Sequence, residues 1–494
     1  MRRLFVTVGR RRRPRQPCVS ATGGDGVKRC KGHLIDTIPE SINDEIVWEI
    51  LIRLPVASLA KFKTVSKAWH SLISDPVFVR AHLQCSKQKQ RRNPASFLIS
   101  PQVLLDPGPP ETFSTNVRFY QWHMEEDTKS KAAEAELVYG RLVQPGEFGL
   151  VCFMAHCDGL VLLPTNTKAY VFNPMTQDSI ALPASKRNKM YYHRCLPIGL
   201  GFDASTGKYK VARFFYRSDA VAISKMGMEV FTINGEEGSW RETVVDPPYP
   251  ILHSQTATHV NGCLYYFIDK KNQQRPPQGL LRFSLKDETF GVTPLLTNTY
   301  PQVEDEDIFV NELNGDLCAT FFCKVVRRVL IFVTTDVIHP SWYCCYAINV
   351  QEQCYPMASL GSRVILLRGG NGLFRYNLEA DRVEKDGEFD MNDMRFLGPC
   401  EDTLGRAWDD VDYFDPFPCV AALSALTSGA RLPVFPSLHV DKCKVATPSK
   451  TNSPGTKGRF LLILIGPFIS TVDLPKVASI TVNLSIELPR EVQQ

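Results

Sequence analysis

The stretch that sets the fold is a turn followed by an apolar run, Asp158-Gly159-Leu160-Val161-Leu162-Leu163. An Asp-Gly pair next to apolar residues is a strong local signal for a tight β-hairpin turn. The same arrangement recurs from Asn261-Gly262, from Asn314-Gly315 and from Asn371-Gly372, at successive distances of 103, 53 and 57 residues. The first distance is about twice the others, and a degenerate copy at Thr206-Gly207 lies within it.

A repeat of about 50 residues that holds several short strands is typical of kelch-like propeller blades. Each blade is a small antiparallel sheet that needs neighbours to cover its faces, so the blades close into a ring. The sequence therefore predicts an all-β, propeller-like domain over residues 95–395 of an α+β multi-domain chain. A pair of stacked β-sheets is the main alternative. Residues 129–139 have a helical composition and are predicted to form a helical insertion.

The composition is that of a globular chain of several domains. It has 494 residues, of which 44% are hydrophobic and 22% charged. Its 15 cysteines are an odd number scattered through a long chain, which favours reduced thiols in the nucleus and/or cytoplasm over a disulfide scaffold. The longest apolar run, residues 460–469, is interrupted by Gly466 and Pro467 and is too short to cross a bilayer. We expect no membrane partner.

The charge is concentrated at the N-terminus. Residues 1–33 hold ten Lys or Arg and one acid, which gives +9, whereas the rest of the chain carries −4. We predict a disordered basic tail there, because the segment has few large apolar residues. The run at residues 10–15 is either a nuclear-import signal, a salt-sensitive nucleic-acid contact or a solvated tail. Nucleic-acid binding is the least favoured of these three interpretations.

Residues 34–84 have the periodicity of short helices. Ile42, Ile46, Ile50 and Leu54 are spaced by four, which places them on one helical face. Pro55 ends this helix, and further short helices follow up to about residue 84. Such a small bundle has more apolar residues than its own core needs. The excess indicates either a partner surface or packing on the rest of the chain.

Residues 38–78 resemble an F-box of the plant type. The opening Ile-Pro, then Arg-Leu-Pro, Val-Ser-Lys-x-Trp and Leu-Ile-Ser-Asp-Pro occur in order, with Thr64 where the family has Cys. The resemblance implies binding to the Skp adaptor, and through it to a cullin, in a Skp–cullin–F-box ubiquitin ligase. It also implies that Val65 and Trp69 belong to the core of the F-box. The residues that it assigns to adaptor contact are Ile38, Pro39, Ile46, Ile50, Leu51, Leu54, Pro55 and Leu59.

The β-rich region resembles the plant F-box-associated, kelch-related domain. Tyr266 replaces the usual Trp and Ser284 the usual Asp. The resemblance implies a receptor that binds an unknown target protein. The motifs that carry it include His156-Cys157-Asp158-Gly159-Leu160, Phe172-Asn173-Pro174-Met175-Thr176, Gly199-Leu200-Gly201-Phe202-Asp203, Ser239-Trp240-Arg241 and Val260-Asn261-Gly262-Cys263-Leu264-Tyr265-Tyr266.

The sequence predicts no catalysis, no metal and no cofactor. It has no Cys-x-x-Cys pair. Cys152 with His156-Cys157, or Cys318 with Cys323, could in principle ligate zinc, but buried structural thiols are the favoured interpretation. Gly199-x-Gly201 is half of a dinucleotide fingerprint and is interpreted as a turn. The alternative function, a propeller enzyme or a binder of sugars or small molecules, needs convergent polar groups at the channel mouth. No such set stands out in the sequence.

Residues 396–494 are predicted to be a C-terminal extension that is partly disordered. Residues 442–458 are rich in Lys, Thr, Ser, Pro and Gly, as a linker would be. Residues 461–465 and 477–486 have the composition of two further strands.

Overall fold

The computed structural model describes a helical module and a ring of β-sheets. The residues described are 44–92, 96–102, 104–106, 112–113, 116–123, 134–142, 154–165, 168–188, 196–218, 225–236, 238–252, 256–271, 273–370, 372–390, 395–397 and 413–418. The predicted basic tail, the linker at 442–458 and the predicted strands at 461–465 and 477–486 lie outside these residues. No helix within them is long and apolar enough to span a membrane.

Four helices form the helical module, residues 44–92. They are α1 (Asp44–Leu51), α2 (Val56–Phe62), α3 (Lys67–Ser74) and α4 (Pro76–Arg92).

Local signals in the sequence start each helix after the first. Pro55 precedes α2 with an extended backbone. The Ser66 hydroxyl accepts a hydrogen bond from the Trp69 N–H at 3.1 Å and caps α3. Pro76 occupies the first position of α4, where its missing N–H costs nothing, and the Asp75 carboxylate accepts from the Val77 N–H at 2.6 Å. α4 continues to residue 92, beyond the end near residue 84 that the sequence predicts for the helical region.

The described β-residues form six blade-like sheets and one two-stranded hairpin, β2 (Leu104–Asp106) with β3 (Thr112–Phe113). Blade 1 contains β27 (Tyr413–Pro418), β1 (Ser96–Gln102), β4 (Asn116–His123), β5 (Glu134–Leu142) and β26 (Arg395–Leu397), in that order across the sheet. Blade 2 contains β6 (Ala155–Cys157), β7 (Leu160–Pro164), β8 (Ala169–Asn173) and β9 (Asp178–Ala181). Blade 3 contains β10 (Ile198–Asp203), β11 (Lys208–Tyr216), β12 (Met226–Thr232) and β13 (Arg241–Glu242).

The remaining three blades repeat this arrangement of four antiparallel strands. Blade 4 contains β14 (Thr258–Val260), β15 (Cys263–Phe267), β16 (Gly279–Ser284) and β17 (Phe290–Pro294). Blade 5 contains β18 (Ile308–Leu313), β19 (Asp316–Cys323), β20 (Arg328–Thr334) and β21 (Tyr343–Asn349). Blade 6 contains β22 (Tyr355–Leu360), β23 (Val364–Gly369), β24 (Gly372–Asn377) and β25 (Arg382–Asp390). The predicted propeller is confirmed, and it has six blades.

Six buried clusters within the described residues hold the ring together, one between each pair of neighbouring blades. The cluster that closes the ring packs Phe97 and Trp122 of blade 1 against Leu366 and Leu373 of blade 6. A blade that is apolar on both faces is stable only between two neighbours, which is why the sheets form a closed ring instead of two stacked layers.

The chain closes the ring with strands from both ends of the domain. β27 pairs antiparallel with β1 over six positions, from Phe97 opposite Pro418 to Gln102 opposite Tyr413. β27 and the last two residues of β26 therefore lie beyond the predicted domain end at residue 395. The predicted helical insertion at 129–139 is wrong where it overlaps β5, because pairing with β4 overrides the helical propensity of its Ala and Glu residues.

The Asp-Gly and Asn-Gly repeats are the turns between the first and second strands of their blades. Asp158 and Gly159 have φ values of 55° and 85°, and Asn314 and Gly315 have 56° and 100°, as a type I′ hairpin turn requires. The fourth copy is out of phase, because Gly372 begins the third strand of blade 6 and not the second. The equivalent turn of that blade follows β22 at Gly361.

Candidate docking surfaces on the helices and the ring

Helix α1 presents an apolar surface to solvent. Ile46 is 54% exposed and Ile50 is 53% exposed, and both were predicted adaptor contacts. Leu54 is half-buried and Pro55 is exposed. Ile38 and Pro39 lie outside the described residues. The structure therefore leaves part of the predicted surface open, on the face that the four-residue spacing identified.

Two of the predicted adaptor contacts are buried in this structure. Leu51 is 1% exposed and Leu59 is fully buried, so both lie in the core of the helical module. Leu51 follows Ile50 on the helix and is rotated by about 100°, which turns it towards the other helices. In this structure neither side chain is available to a partner.

The two residues predicted for the core of the helical module differ in their burial. Trp69 is half-buried and packs edge-on against Phe62, with ring centroids 5.3 Å apart. Val65 is 54% exposed, because it lies in the turn between α2 and α3 and not within either helix. Val77 at the start of α4 is also exposed, and the sequence did not predict this exposure. Val65 and Val77 add to the exposed apolar residues of the module.

His82 of α4 is bonded to the turn that follows α1. Its Nε2 donates a hydrogen bond to the Leu54 carbonyl at 2.9 Å, while its buried Nδ1 has no hydrogen-bond partner. Burial lowers the pKa of His82, and the bond to the carbonyl offsets only part of this effect. The ring is therefore neutral in the folded protein at pH 7.

We expect His82 to make the folded protein less stable at acid pH. Because its pKa is lower in the folded than in the unfolded state, the unfolded state binds more protons as the pH falls below about 6.5. Thermal unfolding at pH 7.5 and 5.5 measures this loss. In His82→Gln, whose amide N–H₂ can still donate to the carbonyl, we expect a smaller loss over the same interval. An equal loss in both proteins would assign the effect to other groups.

The second half of α4 docks on the ring at the end where the first and second strands of each blade are joined, here called the turn end. Lys87 Nζ lies 2.5 Å from a carboxylate oxygen of Asp158, whose side chain is buried in the turn of blade 2. A Cβ at Gly315 in the turn of blade 5 would collide with the Arg91 guanidinium. Gln90 Nε2 donates to the Ser96 carbonyl of blade 1 at 3.1 Å. α4 thus spans turns and strands of three blades.

Charge from α4 compensates a buried acid at this docking site. Burial raises the pKa of Glu312 at the end of β18, and the Gly315 N–H and the charges of Arg91 and Lys87 partly offset the rise. Glu312 accepts a hydrogen bond from that N–H. Because Lys87 and Arg91 face acids from blades 2 and 5, α4 and the ring are joined by a charged interface in which Lys87 is partly buried and Arg91 is exposed.

Replacing Lys87 with glutamate is expected to loosen α4 from the ring. The new carboxylate would lie beside Asp158 and Glu312, and we expect a loss of about 1–3 kcal/mol, reduced by the one-third exposure of Lys87. Hydrogen exchange over residues 76–92 and thermal unfolding measure the change. Lys89→Glu, at an exposed position of the same helix, is the matched control. Adding Asp158→Asn, which keeps a residue suited to the turn, should relieve part of the repulsion.

The inner strands also hold a Cys–His pair. Cys157 Sγ lies 3.3 Å from His259 Nδ1, and His259 Nε2 accepts from the backbone N–H groups of Phe202 and Gly262 at 3.3 Å each. Burial raises the pKa of the Cys157 thiol and lowers the pKa of His259 to about 4. A protonated thiol beside a neutral imidazole whose acceptor nitrogen is already occupied is not an activated nucleophile. The pair is a structural contact between blades 2 and 4.

The other candidate chemical groups have structural roles too. His156 and Cys157 are neighbours on β6 and point to opposite faces, so they cannot bind one metal together. No group of three His, Cys, Asp or Glu side chains within the described residues is arranged to hold a metal ion. Gly199 and Gly201 lie within β10, not in the predicted turn. A Cβ at either would clash with blade 4, against Ala257 or His259.

Both the helical region and the β-rich region match models of known protein families. Residues 40–80 match the F-box domain model, and residues 114–354 match the F-box associated beta propeller domain model. An F-box protein of Arabidopsis thaliana is 27% identical over 388 residues, which cover 70% of this chain and 84% of the relative. An F-box/LRR-repeat/kelch-repeat protein of the same plant is 28% identical over 329 residues, covering 63% and 78%.

Among solved structures, the AfRom2 CNH domain aligns with 58% of this chain and 84% of its own chain, at 11% identity and a TM-score of 0.29. The family assignment depends on the two domain matches and the curated relatives, and these agree with the order of helices and blades in the structure. The chain therefore belongs to the plant F-box proteins that carry an F-box-associated β-propeller domain.

Proposed function

We propose that the chain is the substrate-recognition subunit of a Skp–cullin–F-box ubiquitin ligase, in which the F-box binds the Skp-type adaptor and the propeller binds the target protein. F-box proteins are in general non-catalytic adaptors of these ligases. The observation that carries the proposal is the open apolar surface of α1, where Ile46 and Ile50 are more than half exposed within the matched F-box. Large apolar residues in this setting are typical of a protein interface.

The docking of α4 suggests which end of the ring meets the target. Since α4 covers turns of blades 2 and 5, the turn end is partly occupied by the chain itself. The loops that join second to third strands lie at the other end, because successive strands of a blade run antiparallel. They include the loop after β15 at residues 268–278, where Lys271 and Arg275 are exposed. We propose that the target binds on this side.

Affinity capture tests the proposal. The full chain is expected to retain a Skp-type adaptor and a cullin, and under proteasome inhibition also a target that is lost when the propeller is absent. Substitutions at Lys271 and Arg275 to glutamate should reduce target capture without changing adaptor capture. Failure to bind any Skp-type adaptor would contradict the ligase role. Adaptor binding without a target that depends on the propeller would contradict the receptor role alone.

We also propose that the protein acts in the nucleus and/or cytoplasm. The eight cysteines among the described residues are all free, although several lie in a β-rich domain where a secreted protein would use disulfides. Imaging of the tagged full chain, with and without residues 1–33, tests this location and the contribution of the basic tail. Accumulation in a secretory compartment would contradict it.

A further inference from the structure

Outer strand β21 of blade 5 differs from the other outer strands of the ring. Natural proteins protect such edges with charges, prolines or short strands, because an open row of backbone N–H and C=O groups invites pairing. The outer strands β13 and β26 have two and three residues, β9 has four with Asp178, β17 ends at Pro294, and β25 is rich in charge. β21 has seven residues, Tyr343-Cys344-Cys345-Tyr346-Ala347-Ile348-Asn349, without a charge or a proline.

The edge of β21 is open along its length. β21 pairs with β20 on one side, and no other described strand pairs with its outer side. Tyr343 is 51% exposed, and Cys344, Ala347 and Asn349 are exposed as well.

Exposed apolar residues lie beyond both ends of this strand. Ile338 precedes β21 in the chain. Val325 and Val326 lie in the turn that starts β20, whose first residue, Arg328, pairs with Asn349. Four of the large apolar residues exposed on the described part of the ring therefore belong to blade 5, at and around one free edge: Val325, Val326, Ile338 and Tyr343.

The chain contains a segment whose sequence matches such an edge. Residues 480–486, Ile-Thr-Val-Asn-Leu-Ser-Ile, alternate apolar and polar residues without a charge, and Pro475 and Pro489 bound the surrounding stretch. Strict alternation of this kind is typical of a strand that buries one face. A single strand has no stable structure in water, so this segment requires a sheet on which to pair.

We infer that residues 477–486 add to blade 5 as a fifth strand along the outer edge of β21. The 58 residues from 419 to 476 connect it to the end of β27 and span roughly 40 Å as a flexible chain, enough to reach an outer edge of a domain of this size. Tethering gives a local concentration on the order of millimolar, so this segment competes well against any free peptide.

The bulge in β21 argues against a second copy of the protein as the occupant. Ile331 pairs with Tyr346 and Phe332 with Cys344, which leaves Cys345 as an extra residue in the strand. If two copies paired through this edge, both strands would carry the same bulge. The two bulges would have to fit each other in a single antiparallel register, although neither strand could adjust within its rigid sheet. A tethered segment is not held in a preformed sheet and can adapt to the bulge.

Hydrogen exchange of the full chain tests the inference without disturbing the ring. We expect the amides of residues 343–349 to exchange at least about tenfold faster in Val482→Pro than in the unmodified chain, because proline blocks strand pairing. Thr451→Pro, in the linker, is the matched control and should exchange as the unmodified chain does. Equal exchange in all three proteins would overturn the inference. So would protection of β21 that depends on protein concentration, since a second copy would then be the occupant.

Crosslinking provides an independent measurement. Cys344 is the exposed cysteine of the edge, and Cys443 is a native cysteine on the tether. After mild oxidation of Asn483→Cys, we expect Cys344 to join the cysteine introduced at position 483 about tenfold more often than it joins Cys443. Comparable yields for the two crosslinks would show random encounter and overturn the inference. Pairing of 477–486 with 461–465 alone would give the same negative result.

Discussion

Replacing both Ile46 and Ile50 with glutamate is expected to abolish capture of a Skp-type adaptor by the full chain. The two side chains are more than half exposed and stand one helical turn apart on α1. Truncating a central anchor of an interface commonly costs 2 kcal/mol or more, about 30-fold in affinity, and burying an unpaired carboxylate costs further. We therefore expect a loss of roughly 1,000-fold from the pair, assuming additive effects. Titration of purified adaptor measures it.

The exposure of these residues makes the experiment interpretable. Charged substitutions at solvent-exposed positions change folding stability little, so the thermal unfolding of the double variant should match that of the unmodified chain. Val244→Glu, at a fully exposed apolar position of the ring, is the matched control and should leave adaptor capture unchanged. Binding of the double variant with unchanged affinity would show that α1 does not form the interface.

The burial of Leu51 and Leu59 shows where sequence reasoning stops. A spacing of four identifies one apolar face of α1. Ile50 and Leu51 are consecutive, however, and lie on two adjoining faces that are both apolar, so the spacing alone does not tell which face is buried. Which face is covered depends on residues distant in the sequence, such as His82 of α4, which donates a hydrogen bond to the Leu54 carbonyl. That contact spans 28 residues of the chain, and no local pattern specifies it.

The propeller was predictable because its signal is repeated. Asp158, Asn261 and Asn314 have positive φ in their turns. Residue types that favour such turns can be recognised individually in the sequence. Gly199 and Gly201 were misinterpreted because a glycine in a strand is also used where another backbone or side chain approaches closely. Only the packing of blade 3 on blade 4 distinguishes these two uses.

β27 was not predictable from its own sequence. Tyr-Phe-Asp-Pro-Phe-Pro contains two prolines and an acid, a composition that argues against a central strand. The structure accommodates Pro416 and Pro418 because β27 lies at the inner edge of blade 1, where β1 is its only partner among the described strands, so its other edge needs no ladder partner. The role of the segment follows from the need to close a ring, which is a property of the whole domain.

Ending the chain after Asp412 is expected to open the ring, whereas ending it after Val420 should leave it closed. The shorter chain loses β27 and six paired positions with β1, and backbone hydrogen bonds are worth about 1 kcal/mol each, so we expect a loss of roughly 3–6 kcal/mol. That is a large part of the 5–15 kcal/mol by which a typical domain is stable. Denaturant unfolding of the two chains measures the difference.

Hydrogen exchange locates the effect of this truncation. β1 would become the new edge of blade 1, so the amides of residues 96–102 should lose protection first in the shorter chain. The contact of Phe97 and Trp122 with blade 6 should weaken next, because that cluster is the seam between the first and last blades. α4 also contacts the start of β1, because Gln90 donates a hydrogen bond to the Ser96 carbonyl, so the end of α4 should lose protection together with β1. Equal stability of the two chains would mean that the apolar seam closes the ring without β27.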